Sequence, residues 1–588
     1  MGQEKSQLRD GMRIDWDAPI PTDDGIVLRA DVFRPAGDGK YPVVMNYGAY
    51  GKGLAFQDGN KGVWDHLIAV CPEVNTGTQS KYQNWETVDP EKWVPDGYVV
   101  IRVDARGSGR SPGFLDPWSP REAKDLFQCI EWVAVQPWSN GKVGMNGISY
   151  YAMNQWYVAS LQPPHLAAMC VWEGAADYYR DVTRHGGIFC QFLPYLYPKG
   201  ILRVQHGLGE RGLRSRFTGE TVSGPETLPE EELAKNRIDM EAWILEHALD
   251  DEHHRARSPA WEKVTAPLLS AANWGGQGLH PRGNIEGYLN AASSQKWLEV
   301  HGGSHWLKFY SDYGVRLQRR FFGHFLKGEN TGWEKQPPVL LQVRHVDRFV
   351  ERHENEWPLA RTRWTRFHLD PEDASLRPEA PGRTARIEYE AFGDGVTFLT
   401  PPLAEEIEIT GPVAAKLFVS STTRDADLFL VLRVFTPDLT EVVFDGSNDP
   451  HTPVGIGWLR ASHRKLDPKR SLPYRPCHTH DEPQPLKPGE IVELDVEIWP
   501  TCIVAPAGYR IGLSVRGKDY VYAGPHMTVP GARGFGPQSY TFSGVGPFWH
   551  AHPKDRPADV FGGKNALHFD AGRQPYLLLP VIPRRGAT

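Results

Sequence analysis

Two periodicities divide this chain, and the change from one to the other near residue 350 limits the folds open to it. Before that point short strand-like runs recur: Val43–Asn46, Tyr98–Asp104 (YVVIRVD), Val143–Asn146, Ala167–Trp172 (AAMCVW), Pro267–Ala272 and Lys296–His301. Near-continuous apolar runs of this kind suit parallel strands covered on both faces. Ile26–Arg34 follows an Asp24-Gly25 turn signal and reads as one arm of a hairpin. Between the second and third runs, Ser119-Pro120-Arg121-Glu122 has the form of a capping box with proline at the first helical position. Leu126, Phe127, Ile130, Val133 and Ala134 then share one face of that helix. Strand and helix in alternation predict an α/β core on a parallel sheet. From about Glu351 the pattern is β only, with Val413–Ser420, Leu428–Phe435, Ile491–Trp499 and Tyr509–Val515 separated by Pro and Gly turns, which predicts a β-sandwich. The stretch from Trp172 to Pro267 keeps neither rhythm. It holds the aromatic loop GGIFCQFLPYLYP, an acidic patch at Pro229–Glu232 and a predicted helix over Met240–Leu249, and reads as a cap inserted over the α/β core.

Charge narrows the partners. The 65 basic and 72 acidic residues leave a net charge of -7, so no global basic field argues for nucleic acid or an anionic membrane. The six cysteines are widely spaced without a CxxC pair, which argues against a zinc site or a disulfide framework and fits a reducing compartment. No apolar run is long enough to span a bilayer and the N-terminus lacks the apolar segment of a signal peptide, so the expected location is the cytoplasm. Met1-Gly2 followed by Ser6 matches the loose acylation pattern, one short enough to arise by chance. Twenty Trp beside 22 Tyr and 24 Phe call for aromatic-lined pockets or broad sheet interfaces.

The strongest local signal is Gly144–Ala152 (GMNGISYYA), a strand running into a helix with Ser149 at the turn, as a nucleophile elbow requires. Gly147 supplies the small neighbour on one side; on the other, Tyr151 stands where the strict GxSxG motif has glycine. With GYVVIRVDARGSGRSPG before it and WEGAADYYRD after it, this segment resembles the CocE/NonD hydrolases, the family of cocaine esterase, α-amino-acid ester hydrolases and X-Pro dipeptidyl-peptidases. Their nucleophile motif looks like GxSYxG, matched by Gly147, Ser149 and Tyr150, with Ala152 at the last glycine. The resemblance spans nearly the whole chain, with further matches at Glu356-Trp357-Pro358 and Gly457–His463. It implies an α/β-hydrolase domain over 1–175 and 263–350, a mostly helical cap over 176–262 and a C-terminal jelly-roll β-sandwich over 351–588, the same order that periodicity gives.

A serine nucleophile needs a base and donors for the oxyanion. In Leu298–Trp306 (LEVHGGSHW), His305 follows the last predicted core strand and matches the family's catalytic position, while His301 is the ordinary core residue of the pair. The Tyr150 N–H follows the nucleophile directly; the resemblance to a PYxK pattern selects the Tyr50 hydroxyl as second donor. The family's acid, two residues after Trp in a GWxD-like loop, is missing: the loop reads Asn273-Trp274-Gly275-Gly276. Glu173, directly after the strand Ala167–Trp172, ranks first as its substitute, ahead of Asp177, Asn273 and Glu286. Phe189, Phe192, Tyr195 and Tyr197 of the cap, with Trp274, are the expected pocket lining.

The expected activity is that of a serine hydrolase cleaving an ester or amide of a small acyl substrate through a Ser-His-acid triad, with no metal or organic cofactor and no nucleic-acid or membrane partner. An esterase is favoured over an X-Pro dipeptidyl-peptidase or acylase; a binding protein derived from a hydrolase is the alternative outside catalysis, and homo-oligomer formation is left open. Gly107-Ser108-Gly109 with Gly113 imitates a dinucleotide fingerprint at the wrong spacing, and Cys477-His478-Thr479-His480-Asp481 lacks the second ligand pair of a zinc site.

Overall fold

The apolar runs of the first half fold as strands of one mixed sheet of eleven. In chain order these are β1 (Ser6–Arg9), β2 (Met12–Pro21), β3 (Val27–Pro35), β4 (Tyr41–Gly48), β5 (Val99–Asp104), β6 (Ser139–Ile148) and β7 (Leu166–Trp172). The short pair β8 (Arg184–His185) and β9 (Ile188–Phe189) stands apart, and β10 (Leu268–Asn273), β11 (Lys296–His301), β12 (Val339–Arg344) and β13 (Phe349–Glu354) complete the sheet. The computed structural model describes residues 6–524, 527–530 and 539–584; Met1 and Gly2, and with them the acylation pattern, lie outside the described residues. Among the described residues no helix is long and apolar enough to cross a membrane.

The sheet order is β1-β2-β3-β5-β4-β6-β7-β10-β11-β12-β13. Pairing is parallel from β5 through β12 and antiparallel at both edges. Parallel neighbours need crossovers. Helices Pro120–Ala134, Tyr150–Ala159, Pro281–Asn290 and Asp312–Phe322 supply them. The first starts as its sequence predicts, with the Ser119 hydroxyl accepting from the Glu122 N–H, but the Glu122 carboxylate turns to the Trp118 N–H (2.7 Å) and the Tyr150 hydroxyl (2.8 Å) instead of closing the box. That diversion ties this helix to the turn after β6. Every residue of β5 and β10 is buried, as covered parallel strands require.

The segment between β7 and β10 is built of short pieces: a one-turn π-helix at Tyr178–Thr183, the β8–β9 hairpin, and α-helices at Phe192–Leu196, Glu230–Lys235, Met240–Glu246 and Glu252–Arg255. The C-terminal part is a second eleven-stranded sheet in which Ile407–Ser421 pairs with both Val492–Ala505 and Tyr576–Ile582, so the sheet curls back on itself around its own apolar core. A third cluster, with Ala272, Val300 and Leu341 from the first sheet against Cys502 and Val504 from the second, joins the two. All six cysteines are buried free thiols.

Candidate active site

The parallel strands end at one edge of the sheet, which is where open α/β sheets gather their chemistry. Strand β4 ends at Gly48, β6 at Ile148, β7 at Trp172 and β11 at His301, so Tyr50, Ser149, Glu173 and His305 all follow strand ends. Ser149 holds φ 57° and ψ -110°, a left-handed conformation that side chains seldom adopt. Its N–H is shared by the carbonyls of Trp172 (3.1 Å) and Glu173 (3.2 Å). The two departures from the glycine motif are absorbed by neighbouring glycines. A Cβ at Gly48 would lie 2.5 Å from the Tyr151 ring, and one at Gly174 would lie 2.8 Å from the Ala152 Cβ. The space the motif usually makes at the elbow is made on the adjoining strand ends instead.

His305 Nδ1 lies 2.7 Å from Glu173 Oε2, across 132 residues of chain. Glu173, itself at φ 48°, is fully buried and accepts four hydrogen bonds. Its Oε2 also takes the Ser447 hydroxyl (2.8 Å), while Oε1 takes His301 Nε2 and Asn273 Nδ2, both at 3.1 Å. His301 reaches on to Glu299 Oε2 at 2.7 Å. Burial works against charge on all of these groups, yet the positive imidazoles hold the Glu173 carboxyl well below the usual range. The carboxylates in turn hold the imidazoles up, His301 to about 9 through Glu299 and Glu173, and His305 to about 10 through Glu173. The result is an alternating row of carboxylate and imidazole, Glu299, His301, Glu173, His305, in which an ionised Glu173 fixes the proton on His305 Nδ1. The other nitrogen, Nε2, lies 3.1 Å from Glu86 Oε1.

The profile of the X-Pro dipeptidyl-peptidase (S15 family) matches residues 24–306, and that of the X-Pro dipeptidyl-peptidase C-terminal non-catalytic domain matches 331–578. A solved CocE/NonD family hydrolase from Staphylococcus aureus is 32% identical and superposes with a TM-score of 0.81 over 97% of this chain and 94% of its own. The chain belongs to the CocE/NonD family of serine hydrolases. The cocaine esterase of Rhodococcus sp. (strain MB1 Bresler) is 24% identical over 585 residues, covering 85% of this chain and 90% of that protein. A putative Xaa-Pro dipeptidyl-peptidase of Rhodopirellula baltica is 22% identical, covering 82% and 79%. An α-amino acid ester hydrolase structure at 16% identity shares the fold, with a TM-score of 0.67 over 98% of both chains.

Within this CocE/NonD hydrolase the four candidate acids separate cleanly. Glu173 meets His305, and Asn273 braces Glu173 from the side. Asp177 caps its own turn and pairs with Arg180 at 2.9 Å, and Glu286 pairs with Arg475 at 3.0 Å. The loop Asn273–Gly276 leaves little room for a side chain at 276. A Cβ at Gly276 would lie 3.2 Å from the Ser447 Oγ, so the serine that bonds Glu173 occupies the space a side chain at 276 would enter.

Tyr50 is buried against Tyr150 and Tyr151, with ring centroids 5.5 and 5.8 Å away, and burial pushes its hydroxyl well above the ordinary value, which keeps it a neutral donor. Tyr150 opens the helix, so its N–H has no acceptor within the helix. The pocket lining differs from expectation at two positions. Trp274 is fully buried, its ring lies among Ile285, Leu298 and Val504, and its N–H donates to the Gln342 carbonyl at 2.8 Å. Phe189 is fully buried between Arg184 and His552. Neither exposes surface to a ligand; both pack the contact between the two sheets or their loops. Phe192 keeps 6% of its surface and meets the Phe548 ring at a tilt, with centroids 5.1 Å apart.

Sequence reasoning missed Glu86, Ser447 and His280, and took His301 for an ordinary core residue. Glu86 stands in a loop and Ser447 in the C-terminal half, with no local pattern to mark either. His280 stacks on His305 at 4.9 Å with 9° between the rings. Glu173, His280 and His305 bring ligand atoms within 4.8 Å of one another, but parallel stacked rings do not turn their lone pairs to one point, which is a poor arrangement for a metal. Cys477-His478-Thr479-His480 lies beneath Arg180, which donates to the His478 carbonyl at 2.8 Å.

Proposed function

We propose that this protein is a carboxylic ester hydrolase in which Ser149 is the nucleophile, His305 the base and Glu173 the acid. The observation that carries the reading is the 2.7 Å contact between Glu173 and His305 Nδ1, next to a serine held in a strained elbow whose N–H bonds the Glu173 carbonyl. Glu173 fixes the Nδ1 proton, which leaves Nε2 as the basic nitrogen. To act, Nε2 exchanges Glu86 for the Ser149 hydroxyl. The Ser149 proton passes to Nε2 as Oγ attacks the carbonyl, and the Tyr150 N–H and Tyr50 hydroxyl take the developing oxyanion. The imidazolium returns its proton to the leaving alkoxide, and water, deprotonated by the same nitrogen, resolves the acyl-enzyme.

In this reading residues 176–262 act as the cap that sets specificity, and residues 351–588 form a jelly-roll whose Ser447 supports the acid. Amide cleavage is the second reading, favoured by the S15 profile match. A fluorophosphonate probe followed by peptide mapping tests the proposal. Labelling at Ser149, abolished with ester turnover in Ser149→Ala, is expected; folded wild-type protein that stays unlabelled supports a binding protein instead. Matched amino-acid esters and anilides then separate esterase from peptidase.

A further inference from the structure

The site holds a second carboxylate that the triad does not use. Glu86 is 2% exposed, and its backbone sits at φ 60°. Its carbonyl accepts the Ile148 N–H at 3.1 Å, one residue before Ser149, so the loop that carries Glu86 is fastened to the elbow. Ser149, Glu173 and Glu86 thus all hold a positive φ, a strain that persists only where the surroundings over-determine it and that clusters at functional sites. The Glu86 Oε2 is buried beside the Trp306 indole without a hydrogen bond of normal geometry. A residue placed only for packing would not be a carboxylate here.

The proton count at His305 gives this carboxylate a role. The Nδ1 proton is committed to Glu173. An ionised carboxylate only accepts, so the 3.1 Å contact at Nε2 exists only with one proton between the two groups, carried by either nitrogen or oxygen. In both cases the Nε2 lone pair is closed to Ser149. We propose that Glu86 is a positioning residue for the base: in the free enzyme it shares one proton with His305 Nε2, and so sets the pH above which His305 can take the Ser149 proton. This rests on the reading of His305 as the base. Loss of the shared proton leaves a neutral imidazole beside a carboxylate with nothing to bind them, which frees Nε2 to turn to Ser149. When Nε2 is protonated again during acylation, Glu86 stands beside the new positive charge.

The groups facing this pair act in known directions. Glu173 opposes a second negative charge on Glu86, and burial raises the Glu86 pKa while His305 lowers it. Tyr50, Tyr151 and Tyr310 stay neutral by burial, and His280, stacked on His305, is held neutral well below its usual range. None of them supplies a charge that replaces Glu86.

The test is the rate of Ser149 modification by a fluorophosphonate between pH 5 and 10, in wild type and in Glu86→Gln, which keeps the shape and removes the charge. The wild-type rate is expected to rise with a midpoint above the ordinary histidine value of about 6.5. Glu86→Gln is expected to move that midpoint down by about one unit or more, since an opposite charge in contact shifts a group by about one to three units. A merely structural role would lower thermal stability and leave the midpoint in place. Equal midpoints with Ser149 labelled in both proteins overturn the proposal, while absence of labelling at every pH overturns the hydrolase reading beneath it. Should Glu86→Gln not fold, a wild-type midpoint at or below about 6.5 overturns the proposal by itself.

Discussion

Glu173→Gln is the substitution for which the structure fixes the magnitude best. The side chain keeps its size but its amide can turn two ways. With the NH2 group toward His305, two donors face each other at a site now 2.7 Å apart. The imidazole then moves its proton to Nε2 and becomes the wrong tautomer, a change that costs about 10⁴ in kcat when the acid of a serine protease triad is replaced by its amide. With the carbonyl toward His305 the tautomer survives, and the loss is the negative charge that stabilises the imidazolium. Two unit charges about 4 Å apart interact by about 4 kcal/mol at an effective dielectric of about 20, or about 10³ in rate. That second orientation also turns the NH2 toward His301 Nε2 and Asn273 Nδ2, and Asn273 cannot turn away without breaking its bonds to the Gly303 carbonyl (2.8 Å) and the Gly275 N–H (2.9 Å). Both orientations therefore predict a loss of about 10³ to 10⁴ in kcat/KM. The assay is hydrolysis of a short-chain 4-nitrophenyl ester, compared on the alkaline plateau of each enzyme's pH profile because Glu173 holds His305 up, with circular dichroism to show an unchanged fold. A folded Glu173→Gln enzyme within about tenfold of wild type would refute the assignment of the acid.

Two further outcomes follow from the same structure. If Tyr50 is an oxyanion donor as proposed, Tyr50→Phe is expected to lower kcat by about 10² to 10³ with KM little changed; a change below fivefold would return the oxyanion role to backbone donors alone. Acid should unfold the protein through its buried neutral histidines. Burial pushes His254 down to about 4, and His463 and His478 to about 3. Below about 6.5 the unfolded chain takes up protons at these positions that the folded chain refuses, so their contribution is present above 6.5 and is lost as pH falls toward 4. Each site contributes a slope of up to about 1.4 kcal/mol per pH unit in that window. The stability of wild type relative to His254→Gln, read from urea midpoints, should therefore fall between pH 7 and pH 5, and a difference constant over that range would contradict the buried neutral state of His254.

Local pattern carried much of this protein. A strand covered on both faces must be apolar along its length, and a helix start must satisfy its orphan N–H groups. β11 therefore runs over Lys296–His301 as its sequence reads, and the helix after Ser119 begins where its cap and proline place it. The predicted helix at Met240 stops at Glu246, three residues early. The resemblance carried Ser149 and His305 as well, since each lies within a few residues of a strand end and its motif is contiguous. The acid could only be narrowed to four residues. Its choice depends on β7 lying between β6 and β10, which puts the residue after Trp172 beside both the elbow and the turn after β11. Strand order is a property of the whole sheet and leaves no mark on any short segment.

The same holds for Ser447, which reaches Glu173 from 274 residues away, and for Glu86, which reaches His305 from 219. It also explains the errors. Trp274 and Phe189 are aromatic residues near the expected site, and composition alone cannot distinguish a ring that lines a pocket from one that seals two layers together. The sequence by itself determined the periodicities, the turn that carries Ser149 and the placing of His305 after a strand, because those are set by the few residues around each position. Only the tertiary structure decided which carboxylates face His305, because a side chain's charge partners are chosen by the closing of the sheet and its loops, and a buried charge persists only where that closing supplies its partner.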